Sequence, residues 1–213
     1  MSLKGASYFL RSKLYIALTN ECNSLSPIAL RGPSFVMPES SKFEPLPANF
    51  EPTALQVFEI VDRAFEEGLI GVTSMDSDEI TFAGVGEPLL RMGVLTEAAM
   101  LIKEKRHGAQ LRVKTNGLIL SKDCDQVAKV LKSAGIESVS ICLGSDNPTQ
   151  YADLLRPQGV GFGDMCSFVI ACVESGLDVT CSAVEKPGVN IGAVRALSQS
   201  LGAPSFSTAP YFP

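Results

Sequence analysis

Short apolar runs alternate with longer amphipathic stretches along most of the chain. The apolar runs are rich in β-branched residues and predict six strands, over residues 13–19, 79–84, 111–115, 138–143, 178–184 and 204–209. The stretches between them place apolar residues at helical spacing and predict helices. Because strands and helices alternate in this way, the sequence predicts an α/β fold with right-handed βαβ units and a parallel sheet.

Several predicted helices have clear first turns. Thr53, followed three residues later by Gln56, predicts a capping box, while Asp123 and Asn190 predict the starts of two further helices. In the helix that begins after Thr53, we expect the face packed on the sheet to be formed by Leu55, Phe58, Val61, Phe65 and Leu69.

Two segments stand outside this alternation. Residues 1–12 predict a loosely held lead-in, and residues 20–52 predict a long loop rich in serine and proline. A loop of this length inside a compact domain is rare unless it is functional or mobile, and the sequence leaves both interpretations open. We therefore expect a single domain over residues 1–213, with a long loop after its first predicted strand.

Composition limits the classes of function. The 213 residues are 46% hydrophobic and 19% charged, as in a folded domain with a sizeable core. The net charge of −5 disfavours direct binding of nucleic acid. No apolar run is long enough to predict a membrane span, and the first residues make a poor secretory signal. We expect an intracellular, cytoplasmic protein, with import into an organelle left open.

The cysteines and the histidine of the sequence disfavour disulfide bonds and a zinc site. Six cysteines without a Cys-x-x-Cys pair predict reduced thiols rather than disulfides. The only histidine, His107, ends a predicted helix and has no neighbouring metal ligand, which disfavours zinc.

Polar and small residues follow the predicted strands at their carboxyl ends, where parallel sheets bind ligands. The strand at 79–84 leads into Gly84-Val85-Gly86-Glu87-Pro88. Glycines there permit a close approach to the backbone. Glu87 then either contacts a ligand or belongs to a solvated turn. On the next strand, Arg112, Lys114 and Asn116 share one face, which predicts a polar interior.

Five motifs occur in the order found in the radical S-adenosylmethionine (SAM) superfamily, which the chain resembles over residues 13–211. They are Thr-Asn-Glu-Cys-Asn at 19–23, Gly-Val-Gly-Glu-Pro at 84–88, Val-Lys-Thr-Asn-Gly at 113–117, the strand at 138–143 with residues 151–157 after it, and Pro-Gly-Val-Asn at 187–190. Within the superfamily, the chain is similar to a branch associated with TatD-type metal-dependent hydrolases.

The resemblance implies a partial (βα)6 barrel, open on one side and TIM-like, that binds SAM at the carboxyl ends of its strands. It assigns the methionyl amine of SAM to Gly84, Gly86 and Glu87, the ribose to Asn116 and Ser140, and the adenine to Val189.

The resemblance also implies a [4Fe–4S] cluster, held by cysteines spaced Cys-x-x-x-Cys-x-x-Cys, whose free iron chelates the amine and carboxylate of SAM. The first position here is Cys22, but Ser26 and Ala29 occupy the other two. Serine is a poor cluster ligand and alanine is none, so this motif is degenerate and retains only Cys22 as a metal ligand.

Three explanations of the altered motif remain open. In the first, the cluster is lost and the barrel binds SAM, another small molecule or nothing. In the second, ligands are recruited from other cysteines, namely Cys142, Cys124, Cys166 or Cys172. In the third, the loop binds metal or substrate through Cys22, Glu21 and Arg31.

The sequence therefore supports two main hypotheses of function. The first is a radical SAM-like protein that binds SAM or a related small molecule, with the radical chemistry in question. The alternative is a non-catalytic barrel that acts as an interaction or regulatory module, for which the resemblance suggests a TatD-type hydrolase as partner. A barrel enzyme using acid–base groups has less support, because Glu87 and Glu185 have no evident partner in the sequence. Whether the chain is an enzyme stays open.

Overall fold

A single sheet organises the molecule, whose computed structural model describes residues 3–71 and 79–213. Within these residues the sheet has seven strands, which pair in sequence order: β1 (Ser7–Leu10), β2 (Lys13–Ile16), β3 (Glu79–Phe82), β4 (Gln110–Thr115), β5 (Ser138–Cys142), β6 (Asp178–Glu185) and β7 (Ser205–Pro210). The helices are α1 (Ala54–Glu66), α2 (Met92–Lys105), α3 (Cys124–Ser133), α4 (Pro148–Leu155), α5 (Phe162–Glu174) and α6 (Ile191–Ser200).

The strands from β2 to β7 are parallel, and the sheet curls into an open half-barrel with helices on its outside. Apolar side chains on neighbouring strands lie opposite one another, as Ile80 does with Leu111 and Phe82 with Val113, and all four are fully buried. This layer packs against the helices and forms the main core. The prediction of an α/β, TIM-like partial barrel is confirmed.

Strand β1 corrects the expectation of a loosely held lead-in for residues 7–10. It pairs antiparallel with β2, and Tyr8 stacks on Tyr15 with 5.1 Å between ring centroids. The turn residues Arg11 and Ser12 have φ of 49° and 65°, as a tight hairpin requires. This turn carries no hairpin signal in the sequence, because Arg-Ser replaces the usual asparagine and glycine of such turns.

The helix starts are confirmed, but one predicted packing face is partly wrong. Thr53 and Gln56 form the capping box, and Asp123 and Asn190 cap α3 and α6. In α1 the residues buried on the sheet are Ala54, Val57, Val61 and Ala64. Leu55 and Leu69 are instead 57% and 51% exposed. The larger Phe58 and Phe65 sit towards α2, where Lys105 and Arg106 lie over their rings.

None of the helices in the described part of the chain combines the length and apolarity that crossing a bilayer requires.

A charged network closes the amino end of the half-barrel. Glu79, only 9% exposed, accepts hydrogen bonds from Arg112 Nε at 3.1 Å and from Thr81 Oγ1 at 3.3 Å, and it pairs with Lys13 at 3.3 Å. Although burial acts to raise its pKa, the two cations hold the pKa of Glu79 below its ordinary value. The polar residues predicted to share one face of β4 therefore serve different places in the fold. Arg112 serves this network, and Lys114 lies nearer the carboxyl end.

Candidate ligand-binding site

A cavity of about 300 Å³ opens at the carboxyl ends of the parallel strands. This volume is at the lower end of the range for small-molecule sites. It is lined by residues from six strands, from the segment that follows β3 and from the long loop: Tyr8, Leu10, Tyr15, Pro27, Ile28, Arg31, Phe35, Met37, Ala83, Gly84, Gly86, Glu87, Lys114, Thr115, Ser140, Cys142, Ser182, Ala183, Val184, Ser207, Thr208 and Ala209. The loop at 20–52 thus covers one side of the cavity.

Glu87 lies on the wall of this cavity and is only 2% exposed. Its two carboxylate oxygens accept hydrogen bonds from different backbone N–H groups, Oε1 from Leu89 at 3.0 Å and Oε2 from Asn116 at 2.8 Å. The carboxylate therefore joins the segment after β3 to the end of β4. Of the two interpretations of Glu87, the solvated turn is wrong.

Burial raises the pKa of Glu87 to about 7, although the N–H donors of Asn116 and Leu89 oppose the shift. A carboxyl group in this range changes its charge near neutral pH. Its ionised form also attracts an ammonium group more strongly than a carboxylate in water does, because its surroundings have a low dielectric constant.

Gly84 and Gly86 are needed for close packing between neighbouring segments. A Cβ on Gly86 would lie 2.5 Å from the carbonyl oxygens of Thr19 and Glu21, and one on Gly84 would lie 2.8 Å from the Cβ of Ala17. The N–H of Glu87 donates to the Glu21 oxygen at 2.8 Å, which holds the two segments together. Neither glycine has positive φ, so the requirement here is space and not backbone conformation.

Asn116 lies behind Glu87 and is fully buried. Its Nδ2 donates to Asn23 Oδ1 at 2.7 Å and to Ser24 Oγ at 3.0 Å, and it lies 3.7 Å from the sulfur of Cys22. Its side chain is thus committed to the start of the long loop, and Asn116 is not among the residues that line the cavity. The assignment of Asn116 to the ribose stays a prediction, and contact between them would require the hydrogen bonds of Asn116 to Asn23 and Ser24 to break.

The remaining predicted residues divide between two places. Ser140 lines the cavity from β5 and is half-buried. Val189 lies instead beside a much smaller hollow that it shares with Leu30 and Lys186. Four of the six residues assigned to SAM therefore meet at the cavity, Asn116 adjoins it through Glu87, and Val189 lies apart. The assignment of each to a part of SAM stays a prediction.

The cysteines do not fit a [4Fe–4S] cluster held by three thiolates. Ser26 Oγ accepts the N–H of Ala29 at 3.3 Å, and Ala29 begins a short 3₁₀ turn that ends at Arg31. Across the described residues, no group of three His, Cys, Asp or Glu side chains is placed to hold a metal ion. Cys142 does line the cavity, but it is the one cysteine of the described residues that does so, and burial raises the pKa of its thiol to about 11.

Sequence reasoning missed part of the lining. Ser182 of β6 lies opposite Cys142 of β5 and faces the same cavity. The alternation of faces used for Arg112, Lys114 and Asn116 could have found it, since Thr180, Ser182 and Val184 also share one face of their strand. Tyr8 and Phe35 carry no such signal, because their positions depend on the β1 hairpin and on the fold of the long loop.

No family model matches the chain. Two curated relatives are named GTP 3',8-cyclase. The one from Alkaliphilus oremlandii is 30% identical over 100 residues, 47% of this chain and 29% of the relative. The one from Petrotoga mobilis is 38% identical over 109 residues, 49% of this chain and 31% of the relative. The aligned region thus spans less than a third of each of these relatives.

Solved structures match a much larger part of the chain. Streptococcus suis SuiB bound to S-adenosylmethionine is 16% identical with a TM-score of 0.68, covering 94% of this chain and 41% of SuiB. Native anSMEcpe with bound AdoMet is 12% identical with a TM-score of 0.67, over 93% and 50%. The radical S-adenosylmethionine methyltransferase TsrM from Kitasatospora setae, with cobalamin and a [4Fe–4S] cluster bound, is 15% identical with a TM-score of 0.60, over 92% and 36%.

The chain has the radical SAM fold. The resemblance inferred from the five motifs is confirmed at this level, and the neighbours of this fold include proteins that bind SAM and a [4Fe–4S] cluster. At these identities the likeness shows the architecture only. The TatD-associated branch, the motif-by-motif correspondence and the residue roles stay predictions.

Gly86→Ala should destabilise the protein by about 1–3 kcal/mol, because the added methyl group meets two carbonyl oxygens that cannot both move away. Gly163→Ala in α5 is the matched control, since its Cβ meets nothing within 4 Å and alanine favours the helix. Urea unfolding measures both. A Gly86→Ala variant as stable as Gly163→Ala would contradict the packing described here.

The raised pKa of Glu87 should appear in the pH dependence of stability. The pKa of Glu87 is 4.5 in the unfolded state and about 7 in the folded state, so Glu87 loses its proton first in the unfolded state as pH rises. The free energy of unfolding of the wild type should therefore fall by about 3 kcal/mol across this range, relative to that of Glu87→Gln. Urea titrations between pH 4 and 8 measure the two profiles, and parallel profiles would contradict the raised pKa.

Proposed function

We propose that this half-barrel binds S-adenosylmethionine, or a related nucleoside that carries an amino acid, in the cavity at the carboxyl ends of its strands. The observation that carries the proposal is the buried carboxylate of Glu87 on the cavity wall. A cation such as the ammonium group of SAM would stabilise its ionised form. Two neighbours of the same fold, SuiB and anSMEcpe, have SAM bound.

The polar lining suits the remaining parts of such a ligand. Ser140, Ser182 and Thr208 offer hydroxyl groups from three adjacent strands. Ser182 and Thr208 already donate to the Ile141 oxygen and to Glu185, so their oxygens can accept hydrogen bonds from ribose hydroxyls, while Ser140 can donate or accept. Tyr15 and Phe35 also line the cavity and offer a base the part of each ring that Tyr8 and Arg31 leave uncovered. We infer that the ligand's amine binds beside Glu87, where Gly84 and Gly86 also line the cavity. GTP, which the relatives' name mentions, is not proposed as a ligand of this chain, because the aligned region is less than a third of each relative.

We infer further that the chain binds this ligand without a cluster held by Cys22, Ser26 and Ala29. The supporting observations are the two replaced positions and the network that engages the side chains around Cys22. Burial raises the pKa of the Cys22 thiol, and this one thiol by itself cannot hold a [4Fe–4S] cluster. No radical step is assigned to this site.

The altered motif also favours a second candidate, a non-catalytic barrel that serves as an interaction or regulatory module. Ligand binding could then control the module rather than supply a reaction. None of the relatives described above is named as a TatD-type hydrolase, so a hydrolase partner has no support beyond the sequence resemblance.

Calorimetry should detect binding of SAM to the purified protein, and Glu87→Gln should weaken it by at least about tenfold, the effect of losing one charged hydrogen bond. The affinity of the wild type should also rise between pH 5.5 and 7 as Glu87 ionises. Glu97→Gln, on the exposed surface of α2, is the control for loss of one carboxylate. The proposal fails if SAM does not bind, or if Glu87→Gln binds it as tightly as the control.

Anaerobic treatment with iron and sulfide should leave the protein without a broad absorption band near ~400 nm, which thiolate-bound clusters give. Restoring the motif with Ser26→Cys and Ala29→Cys is the comparison, because it supplies the missing thiols. Iron content is measured in both proteins. A stable cluster in the wild type would contradict the proposal and favour recruitment of other cysteines such as Cys142.

A further inference from the structure

Arg31 lies in the altered loop and lines the same cavity as Glu87. It ends the short 3₁₀ turn that occupies the position of the expected third cysteine. Its guanidinium lies over the ring of Phe35, with 3.9 Å to the centroid, and 5.3 Å from the ring centroid of Phe212. Its Nε donates to the Pro210 oxygen at 3.5 Å. The charge is thus held against an aromatic wall.

The main chain fixes this arrangement. The N–H of Phe212 donates to the Arg31 oxygen at 2.7 Å, and the N–H of Ser34 donates to the Phe212 oxygen at 3.4 Å. Gly32 between them has φ of 104°, and a Cβ there would lie 1.9 Å from the Phe212 oxygen. Only glycine fits at this contact. Backbone hydrogen bonds therefore hold the loop against the segment that follows β7, and Arg31 has a defined position at the cavity.

Arg31 differs from the other half-buried arginines in its partners. Arg91, Arg106 and Arg112 pair with Glu51, Asp62 and Glu79 respectively. No carboxylate of the described residues lies within 4.0 Å of the Arg31 guanidinium. Burial lowers the pKa of Arg31, as expected for a guanidinium that has lost hydration without a compensating carboxylate among residues 3–71 and 79–213. An anion supplied from the cavity would offset that loss.

The cavity therefore carries opposite charges on its walls, a carboxylate from Glu87 and a guanidinium from Arg31. An α-amino acid carries the complementary pair, an ammonium and a carboxylate on one carbon. Guanidinium groups bind carboxylates through two parallel hydrogen bonds, a geometry that lysine cannot supply. Lys114 also lines the cavity, but its Nζ lies 3.3 Å from Tyr15 Oη and it is the more exposed of the two cations.

We propose that Arg31 receives the α-carboxylate of the ligand, so that protein charges hold the amino acid group that a cluster iron would otherwise chelate. This assignment rests on the proposed function and deepens it, because it restricts the ligand to nucleosides that retain an amino acid. It also gives the altered loop a binding role that needs neither cysteine nor metal.

The experiment compares SAM with decarboxylated SAM, which keeps the ammonium and the nucleoside but lacks the carboxylate. Calorimetry measures both affinities for the wild type, Arg31→Gln, Arg31→Lys, Lys114→Gln and Arg195→Gln. Arg195 is the matched control because it also stacks on an aromatic ring, that of Phe206 at 4.7 Å, and it does not line the cavity. Circular dichroism establishes that each variant is folded.

The wild type should bind SAM at least about tenfold more tightly than decarboxylated SAM, as one charged hydrogen bond requires. Arg31→Gln should bring this ratio close to one, Arg31→Lys should keep an intermediate ratio, and the other two variants should keep the wild-type ratio.

A wild type that binds both ligands equally would overturn the role of Arg31 while leaving the proposed function intact, and this result needs no variant to fold. A ratio lost in Lys114→Gln but kept in Arg31→Gln would overturn it as well. Failure of the wild type to bind either ligand would instead remove the proposed function, and the role of Arg31 with it.

Discussion

The buried carboxylate of Glu87 is the interaction on which the candidate site depends. It accepts hydrogen bonds from the backbone N–H groups of Asn116 at the end of β4 and of Leu89 after β3. The backbone N–H of Glu87 donates to the Glu21 oxygen in the loop that follows β2. Three consecutive strand ends are thereby fixed around one charged group. Such a group is costly to bury, and its raised pKa shows that the protein's donors do not fully compensate the lost hydration. A cation bound in the cavity would stabilise the ionised form of this group, and the proposed function rests on that expectation.

The fold could be predicted largely from sequence because the parallel strands are short, apolar and separated by amphipathic helices. Periodicity alone identified the six strands from β2 to β7, and the motif order identified the superfamily's architecture. The β1 hairpin escaped prediction since its turn uses Arg11 and Ser12 in left-handed conformations. The sheet-facing side of α1 was misplaced because the helix packs small residues on the sheet and large ones towards α2.

The candidate site was predictable where it follows strand ends and unpredictable where it depends on the loop. Gly84, Gly86, Glu87 and Ser140 meet at the cavity because the carboxyl ends of parallel strands converge. Asn116 is a different case, since its side chain is engaged by Asn23 and Ser24 from a loop whose path no periodicity specifies. The same holds for Arg31, whose orientation depends on rings 4 and 181 positions away in the sequence.

Together these features describe a half-barrel with the radical SAM fold, whose long loop places the aromatic ring of Phe35 and the guanidinium of Arg31 at the cavity. The central claim is that the cavity holds an amino acid–nucleoside through protein charges alone. A crystal structure of the protein grown anaerobically with SAM and iron, with data collected at the iron absorption edge, tests it most directly. We predict SAM in the cavity with its ammonium beside Glu87 and no anomalous iron signal. Iron density at the loop, or SAM bound elsewhere, would contradict the account.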